Sequence, residues 1–148
     1  VVTWGDGSKG GDSSKVQAQL VDVQHIYSTK GSFAALRADG GVVAWGSEYH
    51  GGEYKGNTWN GRPHGFTSDI QAQVAVDVQA IYSTSFAFAA LKADGSVVPW
   101  GSKVPPAVQK ALAQQKEDGT VLSISSNEEA IAALKAVFRT ALALLAPF

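Results

Sequence analysis

A five-residue phrase that occurs three times constrains this chain more than any other feature. Val1-Val2-Thr3-Trp4-Gly5 returns as Val42-Val43-Ala44-Trp45-Gly46 and again as Val97-Val98-Pro99-Trp100-Gly101. Longer phrases recur between them. Asp22-Val-Gln-His-Ile-Tyr-Ser-Thr29 is followed later by Asp77-Val-Gln-Ala-Ile-Tyr-Ser-Thr84, and Phe33-Ala-Ala-Leu-Arg-Ala-Asp-Gly40 by Phe88-Ala-Ala-Leu-Lys-Ala-Asp-Gly95. Six residues after each of the first two tryptophans stands a glycine pair with an acid, Gly10-Gly11-Asp12 and then Gly51-Gly52-Glu53. Chance does not produce such agreement. A chain with a period of tens of residues folds as stacked supersecondary units, because one unit alone cannot bury its apolar face.

The unit between Gly10 and Gly46 reads as a short helix followed by a three-stranded meander. Asp12, Ser13 and Ser14 offer helix caps ahead of a turn or two ending at Leu20, with Val16 and Leu20 on one face. Val23 to Ser28 alternates and predicts a strand; Ser32 to Arg37 predicts a second, despite its alanines. Asp39-Gly40-Gly41 is a hairpin turn signal, and Val42 to Trp45 is the third strand. On this reading residues 1–148 form one domain with units at about 1–46, 47–101 and 102–136. The repeated Trp4, Trp45 and Trp100, followed by Gly5, Gly46 and Gly101, are expected to pack at boundaries between units. Pro99 lacks a backbone donor and suits an edge strand.

The third unit is decayed. Val108 to Leu112 echoes Val16 to Leu20, Val121 to Ser126 echoes Val23 to Ser28, and Ile131-Ala-Ala-Leu-Lys-Ala136 echoes the Phe-Ala-Ala-Leu segment. No Asp-Gly turn or Trp-Gly strand follows. Pro105 and Pro106 open an expected helix through Glu117, stopped by Gly119. From Ala130 onward the repeat alignment predicts a strand. Asn127, Glu128 and Glu129 before an Ala/Leu-rich run predict a capped helix, with Ile131, Leu134, Phe138, Leu142 and Leu145 sharing one face. The helix, over about 128–146, is the reading adopted. The apolar run after Arg139 has nine residues, against roughly 20 for a spanning helix. The expected role of this segment is contact with a partner or a membrane surface, not a crossing.

Trp45 follows Trp4 by 41 residues, but Trp100 follows Trp45 by 55. The surplus lies in an insertion at 54–68, and an inserted loop is where a repeat scaffold carries its particular function. Tyr49, Tyr54, Trp59, Arg62, His64 and Phe66 cluster there among small polar residues. Aromatic and Arg side chains dominate interface energetics, so these six are candidate partner contacts, together with Phe138, Leu142 and Leu145 of the expected helix. The alternative is a loop that folds its aromatics onto its own domain.

Composition narrows the chemistry. The formal net charge is -1 with no basic stripe, which argues against nucleic-acid binding. With 0 Cys there is neither a disulfide framework nor a thiolate metal site. The chain has no Met and begins inside a motif, from which a processed or truncated product is expected. His50 and His64 lie near Glu48 and Glu53, but scattered loop histidines are more often solvated than metal-bound, and no metal or other cofactor is expected. His25 stands where the second copy has Ala80. Gly5 to Gly11 lacks the Gly-Lys-Ser/Thr ending of a phosphate loop, and no Gly-x-Ser-x-Gly elbow or triad is present. Asp12, Asp39 and Asp94 beside glycine follow turn chemistry, not calcium-loop spacing. The expectation is a protein without catalytic activity.

Val-Val-x-Trp-Gly preceded by an apolar strand and an Asp-Gly turn resembles the RCC1-like repeat in its BLIP-II form, over roughly residues 1–136. Gly-Gly-Asp-Ser-Ser, Val-Gln-x-Gln-Leu and Phe-Ala-Ala-Leu-x-Ala-Asp-Gly resemble the variety abundant in single-celled algae and some bacteria. The resemblance implies a mainly β fold with short helices, in which repeats of a full ring close into a β-propeller that binds proteins on one face. Three imperfect copies are too few for a closed ring, so the expected architecture is a partial propeller or open array ending in a C-terminal helix. The implied partners are other protein subunits of a larger complex, and an organellar, photosynthetic assembly is compatible with the algal flavour. Nucleotide exchange, an activity of RCC1 itself, has no support in these residues. A free-standing recognition or inhibitor module and a sugar-binding module using Trp59 and Tyr54 are the alternatives.

Overall fold

The computed structural model describes residues 1–59, 61–102, 104, 121–126 and 131–135, with the side chains of Trp59, Arg62 and the last two segments outside that description. The described chain is mainly β, with a few short helices. Strands β1 (Val23–Ser28), β2 (Ser32–Arg37) and β3 (Val42–Gly46) form one antiparallel sheet in the order β1-β2-β3. Strands β4 (Thr58–Trp59) and β5 (Arg62–Pro63) form a small hairpin inside the insertion. Strands β6 (Val78–Ser83), β7 (Ala87–Lys92) and β8 (Val97–Gly101) form a second three-stranded sheet, in the order β6-β7-β8. Strands β9 (Val121–Ser126) and β10 (Ile131–Lys135) pair as a two-stranded sheet. Among the described residues no sheet closes into a barrel.

The two larger sheets share one register. Phe33 pairs with Trp45 and Leu36 with Val42, just as Phe88 pairs with Trp100 and Leu91 with Val97. The first hairpin of each sheet carries a bulge at its start, between Val23 and His25 and between Val78 and Ala80. β9 and β10 pair in the corresponding register, Ser123 with Leu134 and Val121 with Lys135, with the shift at the same place. This overturns the expected helix over 128–146 where that segment is described. Ile131–Lys135 is a strand, because ladder bonds to β9 outweigh the modest helical preference of alanine and leucine. The remainder of that expected helix, with Phe138, Leu142 and Leu145, lies outside the described residues, as does the helix expected from Pro105 to Glu117.

Each large sheet follows a six-residue helix: a 3-10 helix at Ser14–Gln19 and α1 at Ser68–Gln73. The helices differ at the cap. Thr67 Oγ1 accepts a bond from the Ile70 amide at 3.3 Å, the usual N-cap arrangement. Ser13 makes no such bond; its hydroxyl lies 2.9 Å from Thr3 Oγ1 and donates to Gln17 Oε1 at 3.2 Å.

The sheets stack through small side chains. Ala34, Leu36, Val42 and Ala44 of the first sheet share a buried cluster with Val74, Val78, Ile81, Phe88 and Trp100 of the second unit. Alanine is a poor strand former, but β2 is buried on both faces, and its methyl groups let β6 pack closely against β1 and β2. The backbone of β9 approaches β6 in turn. Amide bonds tie the junction: Val42 donates to the Val74 carbonyl, Val78 to the Gly40 carbonyl, and Lys30 to the Ser85 carbonyl, at 3.0–3.1 Å. Gly40 has φ +78, and a Cβ there would stand 2.8 Å from the Asp77 amide nitrogen, so glycine is required on both counts. Asp22 and Asp77, at φ 50 and 65, hold matching left-handed corners, where Asp is among the tolerated residues.

Candidate functional site

Each complete unit is closed by its own last tryptophan. Trp45 Nε1 donates to the Gly10 carbonyl and Trp100 Nε1 to the Gly51 carbonyl, both at 3.0 Å. Beneath each bond the indole stacks on a phenylalanine of the neighbouring strand, Phe33 at 5.5 Å and Phe88 at 5.2 Å between ring centroids. Gly10 and Gly51, at φ +91 and +95, lie directly over those rings; a Cβ would approach the phenylalanine carbons to 2.6 and 2.7 Å. Trp45 and Trp100 are buried packing residues. Gly5, Gly46 and Gly101, which follow the three tryptophans, share φ values of 106, 103 and 108.

Trp4 is placed differently. It is 84% exposed, as is Val2, and Ile26 on β1 is 48% exposed where its counterpart Ile81 on β6 is 3%. These residues border a groove of about 270 Å³ lined by Val1, Val2, Thr3, Trp4, Gly10, Ile26, Phe33 and Trp45. Sequence reasoning missed this surface. The available signal was that Val1 to Gly5 repeats the phrase carried by β3 and β8.

The insertion is anchored from within by Glu48, which is 2% exposed. Its carboxylate accepts the Lys55 amide at 2.7 Å and the Asn57 side-chain amide. Burial by itself raises the carboxyl pKa; the bonds from Asn57 and Lys55, with the nearby His64 ring, outweigh it and hold the group below the usual glutamate value. The far end of the loop returns to its start, the Phe66 amide donating to the Gly52 carbonyl at 2.7 Å. Of the six candidate contacts, His64 is buried with its ring 5.4 Å from that of Tyr49. Phe66 is partly buried, edge-on to Trp100 at 5.5 Å. Tyr54 is partly buried, and Tyr49 is 49% exposed. Trp59 and Arg62 pair across β4 and β5. His64 and Phe66 are thus drawn into the fold, while Tyr49 stands at the surface.

At the junction of the two units the His50 ring stacks on Phe86 at 5.4 Å, with Lys30 Nζ 5.5 Å from the centre of the Phe86 ring. His50 Nδ1 lies 3.2 Å from Ser47 Oγ. Burial, then the charges of Lys30 and Lys9, lowers the His50 pKa.

Among the described residues no three His, Asp or Glu side chains gather as metal ligands, and no helix is long and apolar enough to cross a membrane. What the arrangement offers is contact area: an apolar groove at one end of the stack and a braced loop with an exposed tyrosine. No family model matches the chain, and no curated protein matches it.

Proposed function

We propose that the protein is a non-catalytic repeat scaffold, an open array of RCC1-like units that docks as a subunit into a larger protein assembly. The observation that carries this reading is the continuous apolar surface of Val2, Trp4 and Ile26 around the groove. Large apolar side chains left together at the surface mark interaction sites. The counterpart of Ile26 in the second unit, Ile81, is buried in a cluster that includes Ala34, Leu36, Val42 and Ala44 of the first sheet. A second reading, a free-standing recognition module acting through the insertion, draws on Tyr49, exposed beside a loop that Glu48 braces.

Purification of the native protein from its source, with mass measurement and identification of what co-migrates, tests the proposal. A stoichiometric particle far larger than 15.5 kDa is the expected result. A lone chain of that mass overturns the subunit reading. In that case Tyr49→Ala, which then abolishes binding to a captured ligand, is the expected behaviour of a recognition module.

A further inference from the structure

We propose that the rim formed by the β2–β3 and β7–β8 turns docks a helix of a partner protein, one that presents apolar residues seven apart among Lys or Arg. The inference rests on the protein-binding reading above and adds a surface separate from the groove and from Tyr49.

Two valines carry it. Val21 is 55% exposed and Val76 is 52% exposed, and each stands just before the left-handed aspartate that precedes a sheet. The connections leading to them differ. Val21 follows the buried Leu20 directly, whereas Ala75 separates Val76 from the buried Val74. The buried residue moves by one place, yet an exposed valine beside Asp stands at the same corner of both units. Neither valine is part of a buried cluster. Single apolar residues at a surface are ordinary, but the same residue repeated along one face of a stack makes a surface with a period.

The rim is continuous. The Ala38 amide donates to the Asp22 carbonyl at 2.9 Å, the Val78 amide to the Gly40 carbonyl at 3.0 Å, and the Ala93 amide to the Asp77 carbonyl at 2.8 Å. These bonds run from the corner of the first unit through its β2–β3 turn to the corner and turn of the second. Val21 and Val76 are thus held on one backbone frame at the spacing of stacked sheets, about 10 Å. Seven residues of helix rise about 10.5 Å and return to the same face. Along one face of a strand the spacings on offer are about 7 and 14 Å, so an extended segment does not match.

Charge decides the rest of the occupant. Asp22, Asp39, Asp77 and Asp94 are exposed along this rim, beside the valines. Its two cations are engaged within the chain: Arg37 pairs with Asp39, and Lys92 Nζ donates to the Gln73 carbonyl at 2.8 Å. Asp22 and Asp77 make no ion pair among the described residues. Their left-handed corners do not require a carboxylate, since neutral Asn adopts that conformation as readily. The charge left over complements Lys or Arg beside the apolar positions of a helix, which steers the encounter and fixes its register.

A synthetic helical peptide with leucine at every seventh position and lysine on both sides of each leucine tests this against the full chain, read by fluorescence anisotropy. Saturable binding that weakens with added salt is expected. Val21→Ser combined with Val76→Ser is expected to weaken it about tenfold or more. Asp22→Asn combined with Asp77→Asn is expected to weaken it and to flatten the salt dependence. All four positions are exposed, so unchanged thermal unfolding certifies that each variant keeps its fold. No binding of the peptide overturns the proposal, as does equal binding by the wild type and the valine variant, or equal binding of a peptide with its leucines five apart. Self-association of the chain alone that the valine changes abolish assigns the rim to a second copy and overturns it too. A lone chain in the native preparation removes the subunit reading, while binding of the peptide through the valines upholds this one.

Discussion

The first and second units bury the corresponding tryptophans alike but leave the residues around them in different situations. Phe88 and Trp100 are sealed at 0% and 1% exposure, with Phe66 against the indole and the first sheet packed over Ile81. Phe33 and Trp45 form the same stacked pair, but they look onto a groove, and Ile26 faces solvent. The side chains are alike, so the difference belongs to position in the stack. Burial of Ile81 is supplied by the neighbouring first sheet, as expected where stacked units share a core.

Substitutions can break this comparison. Trp100→Ala removes a buried indole, its bond to Gly51 and its contacts with Phe66 and Phe88. A loss of about 3–5 kcal/mol in urea unfolding is expected. Trp4→Ala, at a side chain that is 84% exposed, is expected to change stability by no more than about 0.5 kcal/mol. Equal losses from the two would refute the positional account.

Glycine pairs sharpen it. Gly51→Ala and Gly56→Ala both place a side chain at positive φ, +95 and +98, a strain of about 1–2 kcal/mol. Only at Gly51 does the new methyl overlap a ring, that of Phe88, while Gly56 faces open space. Overpacking adds about 1–3 kcal/mol, so Gly51→Ala is expected to be the more damaging by that margin in the same unfolding measurement.

Glu48→Gln tests the brace of the insertion. It weakens a charge-assisted acceptor for the Lys55 amide, at an expected cost of about 1–3 kcal/mol, and it should speed proteolytic cutting between Tyr54 and Ser68. Because the folded pKa of Glu48 lies below its ordinary value of 4.5, its contribution is present above that pH and lost as pH falls through the folded value. Thermal scans of the wild type between pH 6 and 3 should therefore show a decline that Glu48→Gln reduces. The smallest effect is expected at His50. Its folded pKa lies below the ordinary 6.5, so the neutral ring is the form that stabilises the junction, and stability falls as pH drops below 6.5 toward the folded value. His50→Gln is expected to flatten that part of the profile.

The strands of the first two units were legible because alternation, Asp-Gly turns and two near-identical copies pointed the same way. Asp39 shows why: its carboxylate accepts the Gly41 amide at 2.9 Å, a local interaction that the sequence spells out. Ile131–Lys135 was misread because its helical signals are local, whereas the ladder that decides the matter comes from β9. The aromatic candidates of the insertion were visible as a cluster, but not their directions. His64 and Phe66 turn inward under the control of Glu48 and the Gly52 carbonyl, and both of those look like ordinary loop residues in the sequence. The exposure of Ile26 was hidden for another reason: its repeat is nearly identical to that of Ile81, and the difference in burial comes from packing between sheets, which local sequence does not record.

The bond from each closing tryptophan to the glycine that opens its unit also bears on how such a chain can change length. Everything between Gly10 and Trp45, or between Gly51 and Trp100, is a loop clasped at its ends, spanning 35 residues in one case and 49 in the other. Closure entropy grows only with the logarithm of length, so the longer clasp costs about 0.3 kcal/mol more than the shorter. Extra sequence placed just after the clasp is therefore nearly free, and the scaffold can acquire new loops there while its sheets keep their register.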